Sequence, residues 1–290
     1  MISGKGGTGK TTVVSSLAQL AEYSVLADND VDAADLHLLI KPEVREAHDF
    51  TGSIKCTVNP DACIACGRCA ELCHFDAIFP DGPGNGMADA TYRIEELICE
   101  GCGLCVRVCP VNAISGFPNV TGKWYVSDTN YGPMVHARLG VAEENSGRLV
   151  AQVRNKAAEL TRELSLEKLL GDGPPGTGCP VIASVTGTDL VVLVTEPTVS
   201  GVHDLERVMR LVAQFEVPAA VVINKYDLNL EQTALIEEMA EKKKAKILGR
   251  IPFDRSVNDS LMAVQTVVEY GDSPARRAII EIYENLRSIL

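Results

Sequence analysis

Eight of the chain's ten cysteines fall in two runs of identical spacing, Cys63-x-x-Cys66-x-x-Cys69-x-x-x-Cys73 and Cys99-x-x-Cys102-x-x-Cys105-x-x-x-Cys109. A chain of 290 residues that is 46% hydrophobic can bury one large core, or one core plus a small satellite module held together in another way. The cysteine runs point to the second arrangement. At the N-terminus no basic segment leads into an apolar run with a small-residue cleavage site. No apolar stretch approaches the ~20 residues that cross a bilayer. The expectation is therefore a cytoplasmic protein without a membrane span, where closely spaced thiols serve as metal ligands or redox groups rather than as disulfides. A net charge of -12 supplies no basic face, which argues against nucleic acid as a partner.

The two halves match beyond their cysteines: Cys73-His74-Phe75-Asp76-Ala77-Ile78 parallels Cys109-Pro110-Val111-Asn112-Ala113-Ile114, as in a duplicated half-module, and Gly82-Pro83-Gly84-Asn85-Gly86 lies between them. This spacing resembles that of bacterial two-cluster ferredoxins. The resemblance implies two [4Fe-4S] clusters in a small α+β domain over residues 56–118. Cys63, Cys66, Cys69 and Cys109 would hold one cluster, and Cys99, Cys102, Cys105 and Cys73 the other, since the fourth cysteine of each run reaches across. Zinc is the alternative, because C-x-x-C pairs also build zinc ribbons. His74 stands where the first run of such proteins has proline, which bears on the second cluster's potential or lability. From Cys56 to Pro118, three basic residues against eight acidic ones suggest docking on a basic redox or metalloprotein partner.

Residues Gly4-Lys5-Gly6-Gly7-Thr8-Gly9-Lys10-Thr11, followed by Thr12, fit G-x-x-x-x-G-K-[ST]. Small residues there let backbone N–H groups turn inward around phosphate, Lys10 neutralises it, and Thr11 offers a hydroxyl to Mg2+. Val13, Val14, Leu17, Ala18 and Ala21 continue at helical spacing, so a helix N-terminus faces the anion. Only Met1, Ile2 and Ser3 precede the loop, so either the first strand is short or the start is assigned late. Lys5, just after the first glycine, resembles the signature lysine of the deviant Walker A loop in the MinD, ParA and nitrogenase iron protein superfamily. The resemblance implies an ATPase with Mg2+ that acts as a homodimer, Lys5 reaching the partner's nucleotide. A solvated surface lysine is the plainer reading.

Other superfamily features follow in order. Val25-Leu26-Ala27 reads as a buried strand ending in Asp28-Asn29-Asp30-Val31-Asp32, which resembles the first switch. The resemblance implies that Asp30 orients the attacking water and Asp28 serves Mg2+ through water, with Asp32 the rival to Asp30. Asp172-Gly173-Pro174-Pro175-Gly176-Thr177-Gly178 resembles Walker B and the second switch, implying Asp172 on the magnesium side and Gly176 near the γ-phosphate. The preceding Lys168-Leu169-Leu170-Gly171 suggests a short strand. Leu190 to Thr195 and Ala219 to Ile223 read as buried strands joined by a helix through Val202, Leu205, Val208, Met209 and Val212. Such alternation builds a parallel sheet with ligands at its carboxyl edge. Asn224, and Pro252 with Asp254 in Ile251-Pro252-Phe253-Asp254, resemble the superfamily's adenine pocket. Asn224-Lys225-Tyr226-Asp227 also spells N-K-x-D, which reads guanine in GTPases; the switch motifs favour ATP.

Cys56 and Cys179 lie outside the runs. Cys56 reads as a small buried or spare residue. Cys179 is placed like one of the two cysteines of the bridging cluster in nitrogenase iron protein, but no second candidate stands between Pro110 and Asp172. Ala275 to Leu290 puts Ile279, Ile282, Tyr283, Leu286 and Leu290 on one helical face, with too balanced a polar face for a lipid surface, so it is expected to pack on the sheet. His136 and residues 143–148 carry no assigned chemistry. The two phosphate-site motifs flank the cysteines, so one nucleotide site requires a discontinuous domain, 1–55 and 119–290. The expected fold is α/β, a doubly wound, mostly parallel sheet with the ferredoxin module inserted. Three functions fit these features: ATP-driven motion coupled to electron transfer or metallocentre maturation, an iron-sulfur carrier or metallochaperone, and a redox-sensing regulatory ATPase.

Overall fold

The computed structural model describes residues 1–140 and 146–290; Glu143, Glu144 and Asn145 of the unassigned segment lie outside them. The strands among the described residues are β1 (Val25–Asp28), β2 (Glu43–Val58), β3 (Ile78–Gly82), β4 (Thr91–Ile94), β5 (Ile114–Thr129), β6 (Gly132–Leu139), β7 (Leu169–Asp172), β8 (Val191–Thr195), β9 (Ala219–Asn224) and β10 (Lys246–Ile251). The chain separates into two compact units: Met1–His48, Trp124–Leu139 and Ser146–Leu290 form one, and Asp49–Lys123 with Gly140 belong to the other.

The larger unit is built on hydrogen-bonded strands in the orders β2-β5-β6-β1-β7 and β8-β9-β10. β1 runs parallel to both β6 and β7, and β9 runs parallel to both β8 and β10. Residues 1–3 join the two groups. Ile2 bridges Leu193 and Ser3 bridges Pro175, both in parallel. The Met1 carbonyl accepts from Gly173 N–H at 2.7 Å, and Ile2 N–H donates to Val192 at 3.0 Å. These three residues, although short, therefore fill a central rung of the sheet.

The period-2 pattern of the strands decides which helices cover which face. Val192, Val194, Ala220 and Val222 face one cluster with Val13 and Leu17 of the helix Lys10–Leu20 and Ile279, Ile282 and Leu286 of the helix Pro274–Arg287. Their neighbours Val191, Leu193, Val221 and Ile223 face the other, with Leu205, Val208 and Met209 of the helix Val199–Ala213 and Ile236 of the helix Leu230–Lys242. Each fully buried aliphatic side chain contributes about 1.5–3 kcal/mol, so both faces must be covered. The C-terminal helix thus packs on the sheet, while Leu290, expected on its buried face, lies past the helix end and is 77% exposed. β7 is indeed short, and its Leu169 is partly exposed because it opens the strand rather than lying within the core. Among the described residues no helix is long and apolar enough to cross a membrane.

In the smaller unit β3 and β4 pair antiparallel. β2 and β5 are neighbours, and both run through the boundaries expected at 56 and 118. Hydrogen-bonded pairs such as Gly52 backbone N–H to Thr121 Oγ1 at 3.0 Å and Asn119 Nδ2 to Ser53 Oγ at 3.1 Å count in opposite senses, the mark of antiparallel strands. The internal repeat is visible in the backbone. The short helices Arg68–Glu71 and Leu104–Val108 each follow a left-handed glycine, Gly67 (φ 78°) and Gly103 (φ 72°), and the matched Asp76 and Asn112 both hold positive φ, 51° and 52°. Such values suit short polar side chains and glycine.

Candidate functional site

The phosphate loop owes its shape to two glycines in the left-handed region, Gly7 (φ 78°) and Gly9 (φ 85°). At Gly9 a Cβ would stand 2.4 Å from Asn224 Nδ2, so only glycine fits. Asn224, at the carboxyl end of β9, donates from Nδ2 to the Thr8 carbonyl at 2.8 Å and so holds the loop to the sheet. Cβ atoms added at Gly6 and Gly7 would meet nothing within 4 Å, so the space beside these two glycines is open. The helix that starts at Lys10 has no side-chain cap and no acidic residue in its first turn, so its first amides remain available to an anion.

Around this loop the charged groups are drawn together. Lys10 Nζ donates to Asp172 Oδ1 at 2.5 Å, Thr11 Oγ1 donates to Asp172 Oδ2 at 2.7 Å, and Asp30 Oδ2 lies 3.9 Å from Lys10 Nζ. Burial pushes the Asp28 carboxyl well above the usual range, the Asp172 charge adds to this, and Lys10 opposes it. Asp30 is pushed up to about 6, again by burial first, with Lys10 pulling it down and Asp172 pushing it up. Asp32 is raised by burial and hydrogen-bonds Ser146, so its carboxylate is engaged apart from Lys10.

Three buried polar atoms beside the loop and the β1 end have no partner: Thr8 Oγ1, Asp28 Oδ2 and Asn29 Oδ1. Orphaned buried polar atoms are costly and mark places where something else binds. With Thr11 and Asp172 they make a set of hard oxygen donors, which fits Mg2+ with phosphate.

Lys5 rests on its own chain. Its Nζ donates to Thr198 Oγ1 and Ser200 Oγ, each at 3.1 Å, and lies 3.8 Å from Glu196 Oε2. Glu196 also holds Lys225 at 2.6 Å; sequence reading missed this acidic partner because it sits in a strand-to-helix turn without a motif of its own. Gly176 adopts φ 92° and donates its N–H to the Ser3 carbonyl at 2.9 Å, which places the second-switch turn against the loop's first residues. At the expected base pocket, both oxygens of Asp254 are taken by backbone, from Ser256 N–H at 2.9 Å and Ala275 N–H at 3.0 Å. Asp227 accepts from Phe253 N–H at 2.7 Å. These carboxylates therefore fix the chain around Pro252, and the Asp227 oxygen in that bond is not free to read a base.

In the smaller unit the thiols line two cavities. One is lined by Cys63, Cys66, Cys69 and Cys109, with Tyr92. The other is lined by Cys73, Cys99, Cys102 and Cys105, with Cys69 and Cys56 also on its wall. Among the described residues no three His, Cys, Asp or Glu side chains gather as they would about one metal ion. Burial pushes the Cys105 thiol up to about 12, and neighbouring Cys56 adds to the shift; Cys56 and Cys69 are raised by burial too. Unshared thiols are costly to ionise there, whereas coordination to a soft metal centre removes the proton. Cys179, in contrast, is exposed at the start of the helix Cys179–Val185. His136 lies in β6, hydrogen-bonded to Ser127 at 2.8 Å and lowered to about 4 by burial, with His37 adding to the effect.

Comparison with known proteins bears on the family and the fold. Residues 1–267 match the family described as the CobQ/CobB/MinD/ParA nucleotide binding domain. The chain is 32% identical to the uncharacterized protein MJ0578 of Methanocaldococcus jannaschii over 293 residues, covering 100% of this chain and 96% of that one. It is 31% identical over 136 residues to the iron-sulfur cluster carrier protein of Pyrococcus abyssi, which covers 42% of this chain and 45% of the relative. The fold is similar to that of the cell division ATPase MinD of Pyrococcus furiosus, with a TM-score of 0.57 and 17% identity over 100% of this chain and 98% of that one. The chain belongs to the CobQ/CobB/MinD/ParA family of nucleotide-binding proteins.

Proposed function

We propose that the protein is a Mg2+-dependent ATPase carrying two [4Fe-4S] clusters, in which nucleotide-driven motion of the switch segments is coupled to electron transfer or to maturation of another protein's metallocentre. The observation that carries the ATPase half is the convergence of Lys10, Thr11 and Asp172, with Asp30 at 3.9 Å from the lysine, on a loop whose helix N-terminus is uncapped. Positioned charge of this kind is most of what phosphoryl transfer asks of a protein. The loop amides and Lys10 receive the β- and γ-phosphates as Lys10 exchanges Asp172 for phosphate oxygen. Thr11 and Asp172, with Asp28 behind them, hold the metal ion, which neutralises charge on the phosphates. Asp30, ionised, accepts a hydrogen bond from water and aims its oxygen at the γ-phosphorus; that P–O bond forms as the bond to the β–γ bridging oxygen breaks, the water's proton goes to the released phosphate, and ADP and phosphate leave. Lys5 leaves Glu196, Thr198 and Ser200 to reach the nucleotide of a second copy, which makes the working form a homodimer.

The cluster half rests on the two thiol-lined cavities, each of which includes one of the two expected sets of four cysteines. When bound, the clusters supply one-electron chemistry. The protein's acidic charge suits a basic redox partner, and a reducing cytoplasm suits its free thiols. A second reading, cluster delivery, is favoured by the relatives named iron-sulfur cluster carrier proteins, although they cover less than half of the chain. EPR of anaerobically purified, dithionite-reduced protein with and without Mg-ATP separates these readings. Two interacting [4Fe-4S]+ signals that respond to nucleotide support coupling, and transfer of iron to an apo-protein supports delivery. Zinc without iron sinks both.

A further inference from the structure

The duplicated halves differ at one place that bears on chemistry. Tyr92 stands seven residues before Cys99, and Cys56 seven residues before Cys63, so the repeat makes them equivalent. Each lines the cavity whose first three cysteines come from the other half: Tyr92 with Cys63, Cys66 and Cys69, and Cys56 with Cys99, Cys102 and Cys105. Tyr92 closes its cavity with a phenol, its hydroxyl 3.0 Å from where a Cβ on Gly67 would be. Cys56 closes the other with a thiol that is 5% exposed, in a buried cluster with Cys69 against which Cys105 packs. The first cavity thus has four thiols, one for each iron of a cluster, and the second has six, of which Cys69 also lines the first and Cys56 lines the second alone.

We propose that Cys56 is a reserve ligand of the second cluster, able to take the iron that Cys105 holds. This inference rests on the cluster reading above. In the exchange the bond from iron to Cys105 Sγ breaks and a bond to Cys56 Sγ forms. Cys56 gives up its proton, Cys105 takes one up, and no electron moves. The device gives the second cluster a way to survive loss or oxidation of one ligand that the first cluster lacks.

The test is the iron content and EPR spectrum of anaerobically purified variants of the full chain. Cys69 is the repeat equivalent of Cys105. Wild type holds about eight irons per chain if both clusters are present, and a wild type without iron would defeat the cluster reading rather than this one. With the clusters present, Cys105→Ala and Cys105→Ser keep about eight irons, whereas Cys69→Ala falls to about four. Adding Cys56→Ala to either Cys105 variant also leaves about four, and Cys56→Ala alone keeps about eight. Retained iron that needs Cys56 establishes the reserve role. Loss of half the iron, or of the fold, from both Cys105 variants overturns it. So does retention that is indifferent to Cys56, or loss of a cluster from Cys56→Ala alone, which would make Cys56 a primary ligand.

Discussion

Around the phosphate loop, charged groups stand on walls that are complete without a guest. Lys10 and Asp172 meet at the end of a sheet whose two faces bury Val13, Leu17, Val192, Val194 and Ile282 on one side and Leu193, Leu205, Val208, Val221 and Ile236 on the other. In the cysteine-rich unit the buried cluster is Cys56, Cys69, Ile78 and Ile114, so half of it is thiol. Phe75, Met87, Leu97 and Phe117 of that unit are exposed. A unit spanning Asp49–Lys123 falls at the size, ~70–80 residues, where one apolar core rarely suffices and a metal or cross-link makes up the difference. The first site has a framework already paid for by hydrophobic burial; under the proposed function the second would obtain much of its framework from the clusters it holds.

The largest expected effect tests that contrast. Stripping the clusters with chelator under oxidising conditions should abolish amide-exchange protection over residues 49–123 and leave β1, β8 and β9 protected, with nucleotide still bound. Hydrogen exchange read by mass spectrometry checks this. Full protection of the stripped cysteine unit would show that its few apolar contacts are enough, and the comparison would fail.

Next in size is Asp30. Asp30→Asn should lower kcat by about 10²–10⁴, the range for a positioned acid–base group. Asp30 of the free protein is raised to about 6. Wild-type kcat/KM should therefore fall as pH drops through about 6, where the carboxylate takes up its proton, and the residual activity of Asp30→Asn should lack that step. A profile with the same step in both would assign the titration elsewhere.

Lys10 makes a smaller but sharper test of prearrangement. Lys10→Ala removes a cation that the Asp172 and Asp30 carboxylates share in the structure. Each charge-assisted contact to phosphate is worth about 1.5–3 kcal/mol, so ATP should bind roughly ten- to a hundredfold more weakly by calorimetry. The cysteine unit should keep its iron unchanged. Iron lost along with nucleotide affinity would mean that the two regions do not stand independently.

How far each region could be read from its residues follows the same division. The loop, the Val191–Thr195 strand and the packing of Ile279, Ile282 and Leu286 are visible locally, because phosphate loops and apolar periodicity are short-range patterns. The repeat is legible too, down to Asp76 and Asn112, whose matched backbones reflect matched sequence. What escapes is held by distant contacts. Lys5 meets Thr198 and Ser200 across most of the chain, and Asp254 is spent on the starts of two helices, at Ser256 and Ala275. β2 and β5 run through the expected module boundaries even though β5 contains Gly116, Pro118 and Gly122, which read locally as breakers. Cys56 reads as spare because the cysteines it faces, Cys99, Cys102 and Cys105, lie more than forty residues away in the other half of the repeat. Its match with Tyr92 at the same offset is the signal that could have found it.

The smallest effect asks whether the nucleotide site carries a cost as well as a framework. Asp30 titrates at about 6 when folded, against 3.8 for an unperturbed aspartate, so between those values the folded state binds more protons than the unfolded state. Stability of the nucleotide-free protein then falls as pH rises from about 4 to about 6 and levels off above, the opposite sense to a salt-bridged carboxylate. Asp30→Asn removes the cost of that ionisation. It should leave the melting temperature unchanged near pH 4 and raise it by a few degrees at pH 7.5, at about 2–4 °C per kcal/mol for a domain of this size. Burial of Asp30 is incomplete and solvent screens part of its charge, which keeps the gain small. A variant that is less stable than wild type at pH 7.5 would mean that the Asp30 contact with Lys10 stabilises more than burial costs. The aspartate would then belong to the framework, and the division between a finished scaffold and the charges placed upon it would have to be redrawn.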